Sequence, residues 1–221
     1  KVIDTVYTTF RKMWDDDLIY RGERIVNFCT THQTGFADIE IEHREEKSQI
    51  WNIAYPLLDH VGEIVVATTR PETMLGDEAI AVHPEDERYK HLIGGKVLLP
   101  IVEREIPIVG DEAVDMTFGT GAVKVTPAHD PTDFEIGERH QLPLRSVIGR
   151  DGNMSDQAPE ACRGLSVLET RERIVAQLKA IEAIKDVQAY SHIVGHCYNC
   201  GTVVQPLPME QWFVRVRPLA D

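Results

Sequence analysis

The sequence predicts a mainly β chain of the α+β class, built on a closed or nearly closed β-barrel with a few attached helices. Short runs rich in Val, Ile and aromatic residues recur along it, and several alternate in period two. Gly, Pro and Asp separate these runs at roughly even intervals. Only a few segments show helical periodicity.

The elements follow in order. Val2, Val6, Phe10, Met13 and Trp14 recur at helical spacing, which predicts a helix ending near Leu18, ahead of Arg21 and Gly22. Strands are expected at 24–28, 36–43, 49–55, 62–68, 96–99, 105–109, 121–126, 188–194 and 211–216. Asp130-Pro131-Thr132-Asp133 has the form of a helix start, with Asp130 as N-cap and Pro131 at the first helical position. Ser166 and Glu169 make a capping box, followed by Leu168, Val175, Leu178 and Ile181 on one face. Residues 151–163 are polar and rich in helix breakers, so they read as an exposed loop, with Cys162 a free thiol inside it.

Composition narrows the function. The chain has 221 residues, 43% of them hydrophobic, which is enough for a packed core and excludes a disordered chain. No apolar run is long enough to span a membrane, and the N-terminal stretch lacks a signal-peptide layout. The formal net charge of −13 argues against gripping nucleic acid by bulk charge, so any such binding must be local or confined to one end. With four cysteines and no export pattern, the chain reads as cytoplasmic, with metal or redox chemistry.

Two constellations carry that chemistry. Cys197 and Cys200 form a CxxC followed by Gly201, half of a zinc knuckle. Cys29 and His32 repeat the spacing, and His is an accepted zinc ligand. A structural zinc on Cys29, His32, Cys197 and Cys200 would tie together the two ends of the chain. A redox dithiol at Cys197 and Cys200 is the alternative.

The second constellation is split. Past one strand lies Thr68-Thr69-Arg70-Pro71-Glu72-Thr73, either a hydrogen-bonded turn or a polar lining in which Arg70 holds a phosphate or ribose. Farther on, Phe118-Gly119-Thr120-Gly121 leads through Lys124 to Pro127-Ala128-His129-Asp130. The GTG alone is a weak signal and is no P-loop. Lys124 faces opposite to Val123 and Val125. Asp130 and Asp133 can be simply a helix cap and a dipole partner. His129 beside Asp130 suggests an acid–base pair, although neighbouring loop side chains usually point apart.

The stretches ATTRPETMLGDEAIAVHPEDERY (67–89) and FGTGAVKVTPAHDPTDFEIG (118–137) resemble the editing domain of valyl-tRNA synthetase. That domain is an insertion in the class I aminoacyl-tRNA synthetases for valine, isoleucine and leucine. An isoleucyl enzyme would read TTTPWT in place of TTRPET; a leucyl enzyme would read TTRPDT and PAHDERD. RGERIVNFC (21–29) and QPLPMEQWFV (205–214) are similar to the flanks of the insertion, so the resemblance covers nearly the whole chain. His32 stands where relatives often carry a second Cys. The His-Ile-Gly-His and Lys-Met-Ser-Lys-Ser signatures of the ATP-binding aminoacylation site are absent from this sequence.

The resemblance implies a linking helix at 1–20, a discontinuous zinc-ribbon neck at 21–45 and 188–217, and an editing barrel at 46–187. It implies a hydrolase that cleaves threonyl-tRNA(Val), and in addition threonyl-adenylate, within an enzyme that ligates valine to tRNA(Val) using ATP. Catalytic roles fall on Asp130, Asp133, Thr69 and Thr73. Asp130 takes the substrate ammonium, and Asp133 with the threonine hydroxyls meets the threonine side chain and the water. Thr68, Arg70, Phe118 and Lys124 bind substrate, the last three at the terminal adenosine. The implied partners are the 3′ end of tRNA(Val) carrying threonine and the remaining domains of the parent synthetase, with no membrane, and the chain acting as a monomer. A non-catalytic zinc-ribbon module binding tRNA or protein is the rival reading.

Overall fold

The computed structural model describes residues 1–220. The chain divides into two units, residues 1–24 with 208–221, and residues 25–207.

In the first unit lies helix α1 (Val2–Asp15). It ends three residues before the expected Leu18, where Asp17 turns the backbone at a φ of 54°. None of its residues is buried, although its apolar stripe is clear. Phe10 and Trp14 of α1 meet Trp212 edge to face, both with ring centroids 5.5 Å apart. Strand β1 (Ile19–Cys29) begins in this unit and continues into the second.

The second unit holds β2 (Thr34–Phe36), β3 (Ile41–Pro56), β4 (Glu63–Thr68), β5 (Ala79–Val82), β6 (Lys96–Leu99), β7 (Arg104–Gly110) and β8 (Ala122–Val125). Helices α2 (Pro131–His140) and α3 (Val167–Ala180) follow, then β9 (Ile184–Cys197) and β10 (Gln205–Val214), which runs on into the first unit, where α4 (Arg217–Ala220) lies. Pairing gives three sheets, ordered β10-β1-β2, β4-β3-β9 and β6-β7-β5-β8. The sheet-dominated α+β class is therefore present, but closure of the strands into a barrel is not found among the described residues. A bridge from Leu57, just past the end of the central strand β3, to Val97 of the edge strand β6 links the second and third sheets.

Two departures from the expected strands have physical causes. The separate strands at 36–43 and 49–55 are replaced by one long β3, because the polar run 42–48 pairs residue by residue with β9 from Ile41↔Cys197 onward. Main-chain hydrogen bonding carries a segment that side-chain pattern alone leaves ambiguous. Strand β5 has no alternation at all. All four residues are buried because it lies between β7 and β8, parallel to one and antiparallel to the other.

Ile53, Ile64, Val66, Ile80, Val97, Leu99, Ile106, Ile108 and Val125 are all almost fully buried and make the core. Both helix starts form as the sequence predicts. Asp130 accepts hydrogen bonds from the Thr132 and Asp133 N–H groups at 2.8 and 3.0 Å. Ser166 and Glu169 complete their reciprocal box. Residues 151–163 are irregular apart from a 3-10 turn at Glu160–Cys162, but they are not simply exposed. Met154, Ala158 and Cys162 are buried, anchoring the loop by its few apolar residues.

Candidate active site and metal centre

Cys29 ends β1, Cys197 ends β9, and His32 and Cys200 sit in the turns beyond. The ligand atoms of all four lie within 4.8 Å of one another. Cys29 Sγ is 3.5 Å from His32 Nδ1 and 3.6 Å from Cys200 Sγ, and Cys197 Sγ is 3.6 Å from His32 Nδ1. With metal–ligand bonds of about 2.0–2.3 Å, the edges of a tetrahedron are roughly 3.4–3.8 Å, so the spacing fits one tetrahedral ion. It does not fit a disulfide, whose sulfurs are about 2.05 Å apart. The His32 N–H also points at Cys29 Sγ, at 3.4 Å. Hydrogen bonds to Thr202 draw the Cys200 thiol down to about 6, which favours the ligating thiolate. The cluster can therefore hold a metal ion.

The threonine-rich turn and the 124–133 segment come together in one polar cluster. Pro71–Gly76 forms a 3-10 helix whose six residues are all buried. Lys124 on β8 points inward, and its Nζ donates to Thr73 Oγ1 at 2.9 Å and to Thr126 Oγ1 at 2.6 Å, and pairs with Asp77 at 3.3 Å. Asp77, fully buried, also accepts from the Thr126 hydroxyl at 2.5 Å and from the Tyr55 hydroxyl at 2.7 Å. Burial raises its carboxyl pKa, countered by Lys124 and these hydroxyls.

Asp133 sits in the first turn of α2 and is 8% exposed. Its Oδ2 accepts the Thr126 N–H at 2.8 Å. Desolvation pushes its pKa up to about 7, against the pull of Lys124 and with some help from the Asp130 charge. Asp130 itself is exposed, its carboxylate used as the helix cap.

His129 is no partner for Asp130. The Val147 and Ile148 N–H groups, at 2.9 and 3.3 Å, both point at its Nε2, which must therefore be the unprotonated nitrogen. Nδ1 carries the proton and faces the Pro206 carbonyl at 3.4 Å. Burial and then the Arg70 charge drive the His129 pKa down to about 3, so the ring is neutral and fully engaged.

Arg70 links the two turns. Its guanidinium donates to Glu72 at 3.3 Å, to the His129 carbonyl at 3.3 Å and to Gln205 Oε1 at 2.6 Å. Glu72, completely buried, is held from the other side by Arg171 of α3 at 2.8 Å. Thr68 Oγ1 accepts the Arg70 N–H, and Thr73 Oγ1 donates to the Arg70 carbonyl. Thr69 is partly exposed and makes no side-chain hydrogen bond among the described residues. Phe118 is 55% exposed.

The structure thus brings Thr68, Arg70, Thr73, Lys124 and Asp133 into one connected network, with Asp130 at its edge; no hydrogen bond joins Phe118 or Thr69 side chains to it. Sequence reasoning missed Asp77, Thr126, Glu72 and Arg171. Thr126 was available, since it lies two residues from Lys124 on the same strand face. Arg171 was not, since only the fold brings α3 to the turn.

Residues 1–221 match the model of the class I tRNA synthetases for isoleucine, leucine, methionine and valine, and the chain belongs to that family. Among its relatives are the valine–tRNA ligases of Dehalococcoides mccartyi strain 195, 49% identical over 99% of this chain, and Anoxybacillus flavithermus, 52% identical over 98%. That of Bacillus subtilis is 50% identical over 98%. The chain spans about a quarter of the length of these relatives, at 24–25%. No helix is long and apolar enough to cross a membrane.

Proposed function

We propose that this chain is the editing portion of a valine-type synthetase, hydrolysing the ester between a mistaken threonine and the 3′ end of tRNA(Val), and threonyl-adenylate in addition. The observation that carries this reading is the union of the Thr68–Thr73 turn with the Lys124–Asp133 segment in one network of hydroxyls and carboxylates. Valine and threonine are nearly isosteric, and, as is established for valyl-tRNA synthetases themselves, an apolar site rejects the extra hydroxyl only modestly. A second, hydroxyl-reading site supplies the remaining selectivity.

An aminoacyl ester is activated, so hydrolysis asks for a positioned water and stabilisation of the developing oxyanion. The exposed Asp130 carboxylate takes the substrate ammonium. Asp133 and the Thr69 and Thr73 hydroxyls meet the threonine side chain and the water. With its pKa near 7, Asp133 exists in both protonation states at neutral pH and can accept or donate at that hydroxyl. His129 is excluded as the base by its two engaged nitrogens. The Thr68 hydroxyl joins those of Thr69 and Thr73 at the threonine side chain, and Arg70 and Phe118 serve the terminal adenosine, Phe118 by stacking. Lys124, expected at the terminal adenosine, is buried and enclosed by Asp77 and two threonine hydroxyls, so its part here is to hold those hydroxyls in place.

Residues 46–187 form the editing region in this proposal, and residues 21–45 with 188–217 form a neck in which Cys29, His32, Cys197 and Cys200 bind zinc. Four protein ligands complete the ion's coordination, so its part is structural. Residues 1–20 link the unit to the remaining synthetase domains, and the whole works as a cytoplasmic monomer.

Deacylation of threonyl-tRNA(Val) and valyl-tRNA(Val) by each variant tests the reading. Valine leaves the hydroxyl-reading groups unpaired, at about 1–3 kcal/mol each, so one or two such losses give roughly 10- to 10⁴-fold preference for threonine. Asp133→Ala is expected to erode that preference, whereas Asp130→Ala slows both esters alike, because both carry the same ammonium. Full threonine selectivity in Asp133→Ala would remove Asp133 from the site.

A further inference from the structure

Residues 83–89 close the 67–89 stretch, and the proposed reaction leaves them without a task. Asp86 is 4% exposed, and its two carboxylate oxygens hold Arg88 from both sides, accepting from Nε at 2.9 Å and from Nη2 at 2.6 Å. The Arg88 N–H also bonds Asp86, at 3.0 Å. Arg88 Nη2 then donates to the Met116 carbonyl at 2.7 Å, and the Tyr89 hydroxyl donates to the Thr120 carbonyl at 3.0 Å. The Arg88 guanidinium lies over the Tyr89 ring, 5.1 Å from its centroid. Two side chains from one short turn therefore grip the two ends of the 116–120 loop.

Phe118 is the middle residue of that loop. Its N–H bonds the Asp115 carbonyl at 3.3 Å, and its own carbonyl accepts the Gly121 N–H at 3.0 Å. Gly119 and Gly121 have φ of 56° and 79°, and a Cβ on Gly121 would collide with the Arg88 guanidinium. Left to itself, a loop containing two such glycines samples many conformations, and an exposed phenyl ring on it would lose entropy on stacking. The clamp removes that freedom beforehand.

We infer that Asp86, Arg88 and Tyr89 are positioning residues that pre-set the Phe118 ring for stacking on an adenine base. This rests on the reading of Phe118 as the residue that meets the terminal adenosine. The probe is a hydrolysis-resistant analogue, threonine joined through an amide to adenosine, titrated calorimetrically into the 221-residue chain.

Phe118→Ala is expected to weaken binding about 5- to 100-fold, the usual range for loss of one base–aromatic stack. Tyr89→Phe removes one hydroxyl and keeps the ring, and should weaken binding about 3- to 10-fold. Arg88→Lys keeps the charge but loses the two-sided grip, and should cost at least as much. In Tyr89→Phe and Arg88→Lys, amide exchange in residues 116–121 should accelerate, with the β5–β8 sheet unchanged. Combined with Phe118→Ala, neither substitution should weaken binding further. Additive losses in the double variants would overturn the proposal while leaving Phe118 as a contact. Unchanged loop exchange alongside weaker binding would overturn it as well. If Phe118→Ala binds normally, both the clamp's purpose and the adenosine role of Phe118 fall, and Asp133 is then judged by the deacylation assay alone.

Discussion

The Cys29–His32–Cys197–Cys200 cluster and the Thr73–Asp77–Lys124–Thr126 cluster both gather residues distant in sequence, but they are held in different ways. In the first, four ligand atoms face one another and two of the four residues are exposed. A bound ion would supply most of the local cohesion. In the second, all four residues are buried, and their polar atoms bond one another, the Tyr55 hydroxyl of β3 and the Arg70 carbonyl. Its geometry is set by the surrounding core. The first cluster would owe its cohesion to whatever ion fills it, the second owes it to packing and charge balance.

Removing the ion should separate them most sharply. Cys197→Ser is expected to abolish stoichiometric metal in protein purified without chelator, measured by elemental analysis. Amide exchange should rise across residues 29–36 and 195–204 and stay low in β5 and β7, because binding free energy at structural zinc sites is largely local folding free energy. Equal loosening of both regions would mean the core depends on the ion after all.

The next effect belongs to the second cluster. Asp77→Ala leaves the Lys124 ammonium buried without a counter-charge, at a cost of about 3–5 kcal/mol, or a Tm lower by roughly 10 °C. Metal content should not change. Replacing both partners, as Asp77→Leu with Lys124→Met, should recover much of the loss, since an apolar pair leaves no uncompensated charge. Thermal melts of the single and double variants check this.

The last effect is the most specific. Unfolded aspartate titrates near 3.9, and Asp133 in the folded chain near 7, so folding takes up a proton between about pH 4 and pH 7. Its contribution to stability falls as pH rises through that window and is flat above it. Asp133→Asn should therefore melt a few degrees higher than the parent at pH 8, with the difference vanishing near pH 4. A gap independent of pH would show that Asp133 is not the titrating group.

What was legible in the sequence follows the same division. Ligand chemistry fixes its own spacing, so C-x-x-H and C-x-x-C in the sequence already pair the four residues that converge as a possible metal site. The caps at Asp130 and Ser166 are equally local. Asp77 and Arg171 could not be read this way, because their partners Lys124 and Glu72 are chosen by strand order and by the docking of a helix. The short, uniformly apolar β5 shows no periodicity, and the polar run 44–48 inside β3 leaves a gap between two expected strands. In both, neighbouring strands decide what the residues themselves leave open.

The segment leaving Cys200 has a mechanical consequence. Five residues farther on, Gln205 accepts the Arg70 guanidinium, and Pro206 offers its carbonyl to His129. Five residues reach at most about 17 Å, so this stretch is a short strap with one end at the Cys29–His32–Cys197–Cys200 cluster and the other fastened to the turns at Arg70 and His129. An ion held at Cys29, His32, Cys197 and Cys200 would, through this strap, stiffen the turns that carry Arg70 and His129.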